Sequence, residues 1–255
     1  MSRGFYVPGE QRAAKVGELF AGIARRYDLL NDLQSLRLHR RWKRRLVQLA
    51  APRPGLSALD VCCGTGDLAK ALARCGAETV GLDFSQAMLE VARRGPGAEP
   101  RGDPQALGAD ARGPMDRGRV AGFVLGDAQR LPFPDGSFDI VTVGYGLRNL
   151  ASWEAGLREM QRVARPGGRL LVLDFGKPDD PLWRGLYYVY LGLLVPLLGR
   201  VFGGSASAYA YIRESLAHYP GQRTLAARMR QLGLAKVRVI NLLGGAMAIH
   251  CAEKQ

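Results

Sequence analysis

Hydrophobic positions recur at three- and four-residue spacing from about residue 12 to residue 50, through AKVGELFAGIARRYDLLNDLQS and on into LHRRWKRRLVQLA. Such spacing lines up apolar side chains on one side of a helix, so a helical N-terminal extension is predicted over 1–50. The texture then changes. SALDVCC, ETVGLDF, GFVLG, FDIVTVG and GRLLVLDF are short apolar runs, and several are separated by stretches with helical spacing, such as SQAMLEVARR and SWEAGLREMQRVA. Runs of this length alternating with helices predict βαβ units and a mainly parallel sheet. The C-terminal stretch LAKVRVINLLGGAMAIHCAEK predicts two strands joined by a Gly-Gly turn.

Two segments break the pattern. Residues 95–118, GPGAEPRGDPQALGADARGPMDRG, are rich in Gly and Pro and poor in apolar side chains, which predicts a flexible surface insertion without chemistry. LWRGLYYVYLGLLVPLLGRVFGG, residues 182–204, is strongly apolar with Pro196 near its middle. The stretch between Arg184 and Arg200 is short for a membrane span, which needs roughly 20 residues. It reads as a core helix or as one facing a lipid-like ligand or the membrane surface, within a helical region over 182–220. The whole chain, 1–255, is expected to form one domain.

Composition adds one unusual fact, a formal net charge of +13. Nucleic acid, an anionic membrane and an acidic partner each account for such a balance, as does a general bias toward arginine. The four cysteines (Cys62, Cys63, Cys75 and Cys251) form no CxxC pair and no zinc-like cluster with histidine, so no metal is expected. The start MSRGFYVPGEQ lacks the apolar region of a secretory leader, and a reduced cytoplasmic setting is expected.

The chemistry starts at VCCGTGDLA, where Gly64, Gly66 and Ala69 satisfy GxGxxG/A between a strand and a helix. The pattern gives a tight turn and close approach of backbone to a ligand. Asp83 ends the next strand, where a carboxylate accepts two ribose hydroxyls. The pair admits NAD or S-adenosylmethionine. Asp60 and Asp67 beside the loop disfavour a pyrophosphate and suit a ligand carrying an ammonium and a sulfonium. Asp127, after the third strand, is placed to accept an adenine amino group, with the Ala128 backbone at the ring nitrogen; an N-cap role for Asp127 is compatible with this.

The segments NDLQSLRLHRRWKR, LDVCCGTGDLA, DAQRLPFPDGSFD, GYGLRN, ARPGGRLLVLDF and YIRESLAHYP occur in this order over nearly the whole chain. Together they resemble the demethylmenaquinone and ubiquinone-type C-methyltransferases. The resemblance implies a Rossmann-like class I S-adenosylmethionine-dependent fold. Its seven-stranded sheet is mostly parallel with an antiparallel C-terminal strand, and a helical insertion precedes the last strands. It implies cofactor contacts from Asp60, Gly64, Thr65, Gly66, Asp83, Phe84, Asp127 and Ala128. Many relatives carry serine where this chain has Gly144, so only a backbone contact is expected there.

The implied substrate is a polyprenyl quinol, with a naphthoquinol favoured over a benzoquinol by the form of CCGTGD and DFSQAML. Arg148 and Asn149 in GLRN are expected at the quinol oxygen, Arg148 as an oxyanion partner beside a polarised water. Guanidinium does not deprotonate and is not the base. Asn149 has an alternative reading as a helix cap. His218 is the best placed of three histidines to serve as base, ahead of His39 and His250. Tyr145, Tyr209 and Tyr211 are candidates to line the ring pocket, and the latter two read equally well as core. The apolar 186–202 segment and the basic residues 37–45 are expected to meet a membrane from its cytoplasmic side. A homodimer is admitted. An RNA methyltransferase and a non-catalytic cofactor-binding scaffold are the competing classes. No stacking platform of aromatic and basic residues supports the first, so nucleic acid is not expected as a partner.

Overall fold

The computed structural model describes residues 27–94, 120–194 and 218–255, together with Glu18, Gly22, Ala24, Ser215 and Leu216. Within them the elements are α1 (Tyr27–Ser35), α2 (Leu38–Ala50), β1 (Ser57–Val61), α3 (Asp67–Arg74), β2 (Glu78–Asp83), α4 (Gln86–Arg94), β3 (Val120–Leu125) and β4 (Phe138–Gly144). There follow a 3-10 turn (Leu147–Asn149), α5 (Trp153–Val163), β5 (Ala164–Phe175), α6 (Pro181–Val189) and a π-helical turn (Tyr190–Leu194). The chain closes with α7 (Gln222–Gln231), β6 (Leu234–Leu242), a 3-10 turn (Leu243–Gly245) and β7 (Met247–Lys254). The predicted insertion at 95–118, and Tyr209 and Tyr211, lie outside the described residues.

The seven strands form one sheet in the order β3-β2-β1-β4-β5-β7-β6. The first five pair in parallel, and β7 runs antiparallel to both β5 and β6. This is the class I S-adenosylmethionine-dependent methyltransferase architecture that the resemblance implied. The period-2 geometry of a strand sorts its side chains onto two faces. Leu59 and Val61 of β1, Val141 and Val143 of β4, and Leu170 and Val172 of β5 join one core with Leu157 and Met160 of α5. Ala58, Ile140, Leu171 and Leu173 face the other way and pack with Leu46 and Val47 of α2 and Leu68 and Leu72 of α3.

The helical pattern of the N-terminal extension does not run on unbroken. Leu36 and Arg37 both take positive φ (48° and 63°) and separate α1 from α2. Strand order reverses between β1 and β4, and in open α/β sheets ligands bind at the carboxyl ends of the strands at such a switch point. Val61 and Gly144 end the two strands there.

Candidate cofactor and acceptor site

After β1 the chain turns through Cys62, Gly64 and Gly66, all at positive φ (54°, 56° and 78°), before α3 begins at Asp67. The turn is fixed on both sides. Cys63 N–H donates to Leu82 O at 2.9 Å, and Gly66 N–H donates to Cys63 O at 2.9 Å. A Cβ on Gly66 would lie 2.8 Å from the Phe123 ring, so glycine is required there by packing as well as by φ.

Asp83, at the end of β2, is buried and accepts Gly64 N–H at 2.8 Å on Oδ2 and Ser85 N–H at 2.9 Å on Oδ1. Each carboxylate oxygen keeps acceptor capacity for a ligand hydroxyl. Burial pushes its pKa up, against these backbone N–H groups. Phe84 is partly exposed and lines the same recess as Asp83, Met88, Asp127 and Ala128. Asp127 does not cap a helix; its Oδ1 accepts Gln129 N–H at 2.8 Å in a tight turn.

Across the recess stands the turn after β4. Gly144, Tyr145, Gly146, Asn149 and Leu150 line it. Asn149 is not the cap of α5, because Ser152 accepts Ala155 N–H at 3.1 Å in that role. Asn149 instead accepts from Arg148 Nη1 at 3.1 Å and donates to Tyr145 O at 3.2 Å. Arg148 is itself buried. Its Nε lies 3.3 Å from Asp174 Oδ1, its backbone N–H donates to Asp174 Oδ2 at 3.2 Å, and Nη1 donates to Ser215 Oγ at 3.0 Å. Burial pushes the Asp174 carboxyl up to about 6 despite the guanidinium beside it. Arg148 is absent from the residues that form the recess surface and touches it through its hydrogen bond to Asn149.

A second, smaller recess shares Tyr27, Cys62, Gly64 and Gly144 with the first and continues beneath the glycine turn to Lys43, Asp60, Thr65 and Asp67. Asp60 lies opposite Thr142 in the β1–β4 register and accepts its hydroxyl at 2.9 Å. Burial raises the Asp60 carboxyl to about 8. Thr65 Oγ1 donates to Asp28 Oδ1 at 3.0 Å, so α1 holds the turn directly.

The cofactor candidates therefore fall into place around one pair of joined recesses: Asp60 and Thr65 in the smaller, Asp83, Phe84, Asp127 and Ala128 in the larger, Gly64 and Gly144 in both. Gly66 shapes the turn without lining either. Of the acceptor-side candidates, Tyr145 and Asn149 line the larger recess. His218 is exposed and lines neither. His39 is buried against Ser35 Oγ (2.9 Å), and His250 faces Gln222 O at 3.0 Å.

Three contributors escaped the sequence reading: Tyr27, Lys43 and Asp174. Lys43 stands among the basic residues 37–45 expected at a membrane, yet it turns inward to Asp67 at 2.6 Å. Its signal was present as the single lysine within RRWKRR, although its target lies 24 residues away.

The recesses suit S-adenosylmethionine. A buried carboxylate with spare acceptor capacity stands where a ribose diol would lie, an apolar pair (Phe84, Met88) where adenine would lie, and a mixed-charge pocket where an amino acid end would lie.

Comparison with known proteins agrees. The ubiE/COQ5 methyltransferase family profile matches residues 8–254. The chain is 42% identical over 250 residues to the ubiquinone/menaquinone biosynthesis C-methyltransferase UbiE of Ectopseudomonas mendocina, covering 96% of this chain and 90% of that one. It is 41% identical over 251 residues to the UbiE of Burkholderia mallei, covering 97% and 96%. Among solved structures, a Thermotoga maritima S-adenosylmethionine-dependent methyltransferase, a possible histamine N-methyltransferase, superposes with a TM-score of 0.60 at 18% identity, covering 93% of this chain and 99% of that one. A Bacillus halodurans putative methyltransferase does so at 0.54 and 18%, covering 83% and 98%. At that identity these two structures speak to the fold alone.

Proposed function

We propose a substrate from one premise: this chain belongs to the ubiE/COQ5 methyltransferase family and is an S-adenosylmethionine-dependent C-methyltransferase. On that premise it methylates the ring carbon of a reduced polyprenyl naphthoquinol, the step that turns a demethylmenaquinol into a menaquinol. The observation that carries the reading is the turn at Leu147–Asn149, which sets Asn149 and Leu150 on the wall of the recess that Asp83 and Gly64 also line. An acceptor ring on that wall faces the cofactor site directly.

When bound, the cofactor supplies an electrophilic methyl group on a sulfonium. The residues of this chain prepare the other partner. A quinol hydroxyl that gives up its proton puts charge on the adjacent ring carbon, which would form the new C–C bond as the methyl–sulfur bond breaks to leave a neutral thioether, and then lose its own proton to water to restore aromaticity. Arg148, in a water-poor setting, and Asn149 in front of it stabilise the quinolate oxygen, where positive charge and oriented dipoles act strongly. Asp174 keeps the guanidinium in place. A water beside this pair takes the hydroxyl proton. Tyr27, Tyr145, Leu150 and Ala151 flank the ring and shield it from bulk water. The small and apolar Gly144, Gly146, Leu150 and Ala151 on that wall favour a fused naphthoquinol over a methoxylated ring.

The prenyl tail calls for a membrane face. Leu182, Leu186, Val189 and Leu193 are 55–85% exposed and follow one another at four, three and four residues, so they form one stripe along α6 and the π-turn. Tyr190 donates its hydroxyl to Gln34 O, joining that segment to the end of α1 next to exposed Leu36. Arg37, Arg40, Arg41 and Arg44 gather around Leu36. An apolar stripe beside a basic patch supports peripheral attachment to an anionic bilayer. Among the described residues no helix is long and apolar enough to cross a membrane.

A competition assay tests the acceptor. The protein, S-adenosylmethionine and detergent are mixed with reduced demethylmenaquinol and reduced demethylated benzoquinol, and products are read by mass. Methylation of the naphthoquinol alone is expected. Turnover of both would widen the reading to a dual-pathway enzyme, and turnover of the benzoquinol alone would overturn it.

A further inference from the structure

Lys43 belongs to α2, outside the sheet and its crossover helices, yet its ammonium ends beneath the cofactor turn. Its side chain is 12% exposed, and Nζ lies 2.6 Å from Asp67 Oδ2 and 5.5 Å from the centre of the Tyr145 ring. Burial works against its charge, and Asp67, Tyr27 and Asp28 together outweigh burial and hold its pKa above the ordinary lysine value. An ammonium carries three donors, and one of them is directed at Asp67. A buried cation with donor capacity left over is costly unless something else accepts from it.

The other walls of the smaller recess say what that acceptor is. Its charged and titratable lining consists of Lys43, Asp60 and Asp67, with Tyr27 and Thr65 as hydroxyls and Cys62 and Cys63 as thiols. Lys43 is the one cation among the described lining residues. The recess adjoins Gly64 but is not lined by Asp83 or Asp127, which belong to the larger recess, so the ribose and adenine ends of a bound adenosyl group are already accounted for there. What remains for it is the zwitterionic amino acid end, one ammonium and one carboxylate. Asp60 and Asp67 offer oxygen acceptors to the ammonium. The carboxylate needs a cation.

We propose that Lys43 receives the carboxylate of the methionyl group of S-adenosylmethionine, so that the N-terminal helix pair is part of the cofactor site. The proposal rests on the cofactor assignment and is independent of which quinol is methylated. It also gives a reason for the Thr65–Asp28 hydrogen bond: α1 and α2 both reach the glycine turn, Asp28 through Thr65 and Lys43 through Asp67.

The test compares S-adenosylmethionine with its decarboxylated analogue, which keeps the ammonium and the sulfonium and lacks only the carboxylate. Affinities are measured by calorimetry on the full chain without quinol. The unaltered protein should prefer S-adenosylmethionine by about 10- to 100-fold, the range of one charge-assisted contact. Lys43→Met should lose that preference to within about threefold, and Lys43→Arg should keep most of it. Lys43→Met also leaves Asp67 without its partner, and a lone carboxylate there would itself repel the carboxylate of the ligand. The double variant Lys43→Met/Asp67→Asn removes that effect and should still lack the preference. Equal weakening of both ligands, an unchanged preference in Lys43→Met, or recovery of the preference in the double variant would each overturn the proposal. Thermal melts of every variant report folding separately. Failure of the unaltered protein to bind either ligand would instead fault the cofactor assignment on which the proposal stands.

Discussion

Asp174 holds Arg148 from two sides, through the side chain at 3.3 Å and through the backbone N–H at 3.2 Å. One carboxylate at the end of β5 thus fixes both the charge and the backbone of the turn that carries Asn149 to the recess. Asp174→Asn should destabilise the fold by about 3 kcal/mol, because it removes the carboxylate charge from beside a buried guanidinium. It should also lower kcat far more than it changes cofactor affinity. Asp174→Glu should recover part of kcat. Denaturant melts, steady-state kinetics and cofactor titration check the three statements, and an unchanged kcat in a folded Asp174→Asn protein would remove the pair from the chemistry.

Asp60 predicts a dependence of stability on pH. Its folded-state value, about 8, lies above its ordinary value of 3.8. The folded protein therefore binds a proton that the unfolded chain releases, and this contribution is fully present below about pH 4 and lost as pH rises through about 8. Between those limits Asp60 alone should lower stability by about 1.4 kcal/mol per pH unit. Asp60→Asn should remove that slope. Urea melts of the cofactor-free protein at several pH values, wild type against variant, measure it directly.

Cys62 and Gly146 are mutually dependent. A Cβ on Gly146 would clash with Cys62 Cβ and lie 2.9 Å from its Sγ, and Cys62 itself occupies a left-handed backbone conformation. Gly146→Ala should cost about 1–3 kcal/mol as an overpacked contact. Adding Cys62→Gly should restore most of that loss, since it removes the clashing atoms and suits the positive φ. A double-mutant cycle with additive effects would contradict the contact.

The exposed stripe predicts how the protein meets lipid. Leu186→Glu with Leu193→Glu should reduce binding to anionic vesicles at least about tenfold, because each buried leucine contributes roughly 1.5–3 kcal/mol. Activity toward a short-tailed, water-soluble quinol should stay close to wild type. Raising ionic strength should weaken vesicle binding of the unaltered protein through the arginines around Leu36. Sedimentation with vesicles shows both effects, and salt-independent binding would remove the arginines from the interface.

The parts of the site that could be read along the chain are those built by contiguous residues. Alternating apolar runs gave the parallel strands, because strand and helix periodicities are local properties of the backbone. The turn through Gly64 and Gly66 and the carboxylate of Asp83 followed from the same strand ends. The break between α1 and α2 was not legible, since nothing in LRLHRR marks Leu36 and Arg37 for left-handed φ.

What the sequence determined by itself was the order of elements, the glycine turn, and which residue types stand at the strand ends, all set within a few residues of one another. What only the tertiary structure decided was where the charges go. Lys43 looked like its arginine neighbours until folding set it against Asp67, 24 residues on. Arg148 was legible as an oxyanion partner, but only folding shows that Asp174, 26 residues on, draws it behind the wall of the recess. A long charged side chain has no fixed direction of its own. Its place is chosen by the opposite charge that the fold brings within reach, and by the loss of water around both.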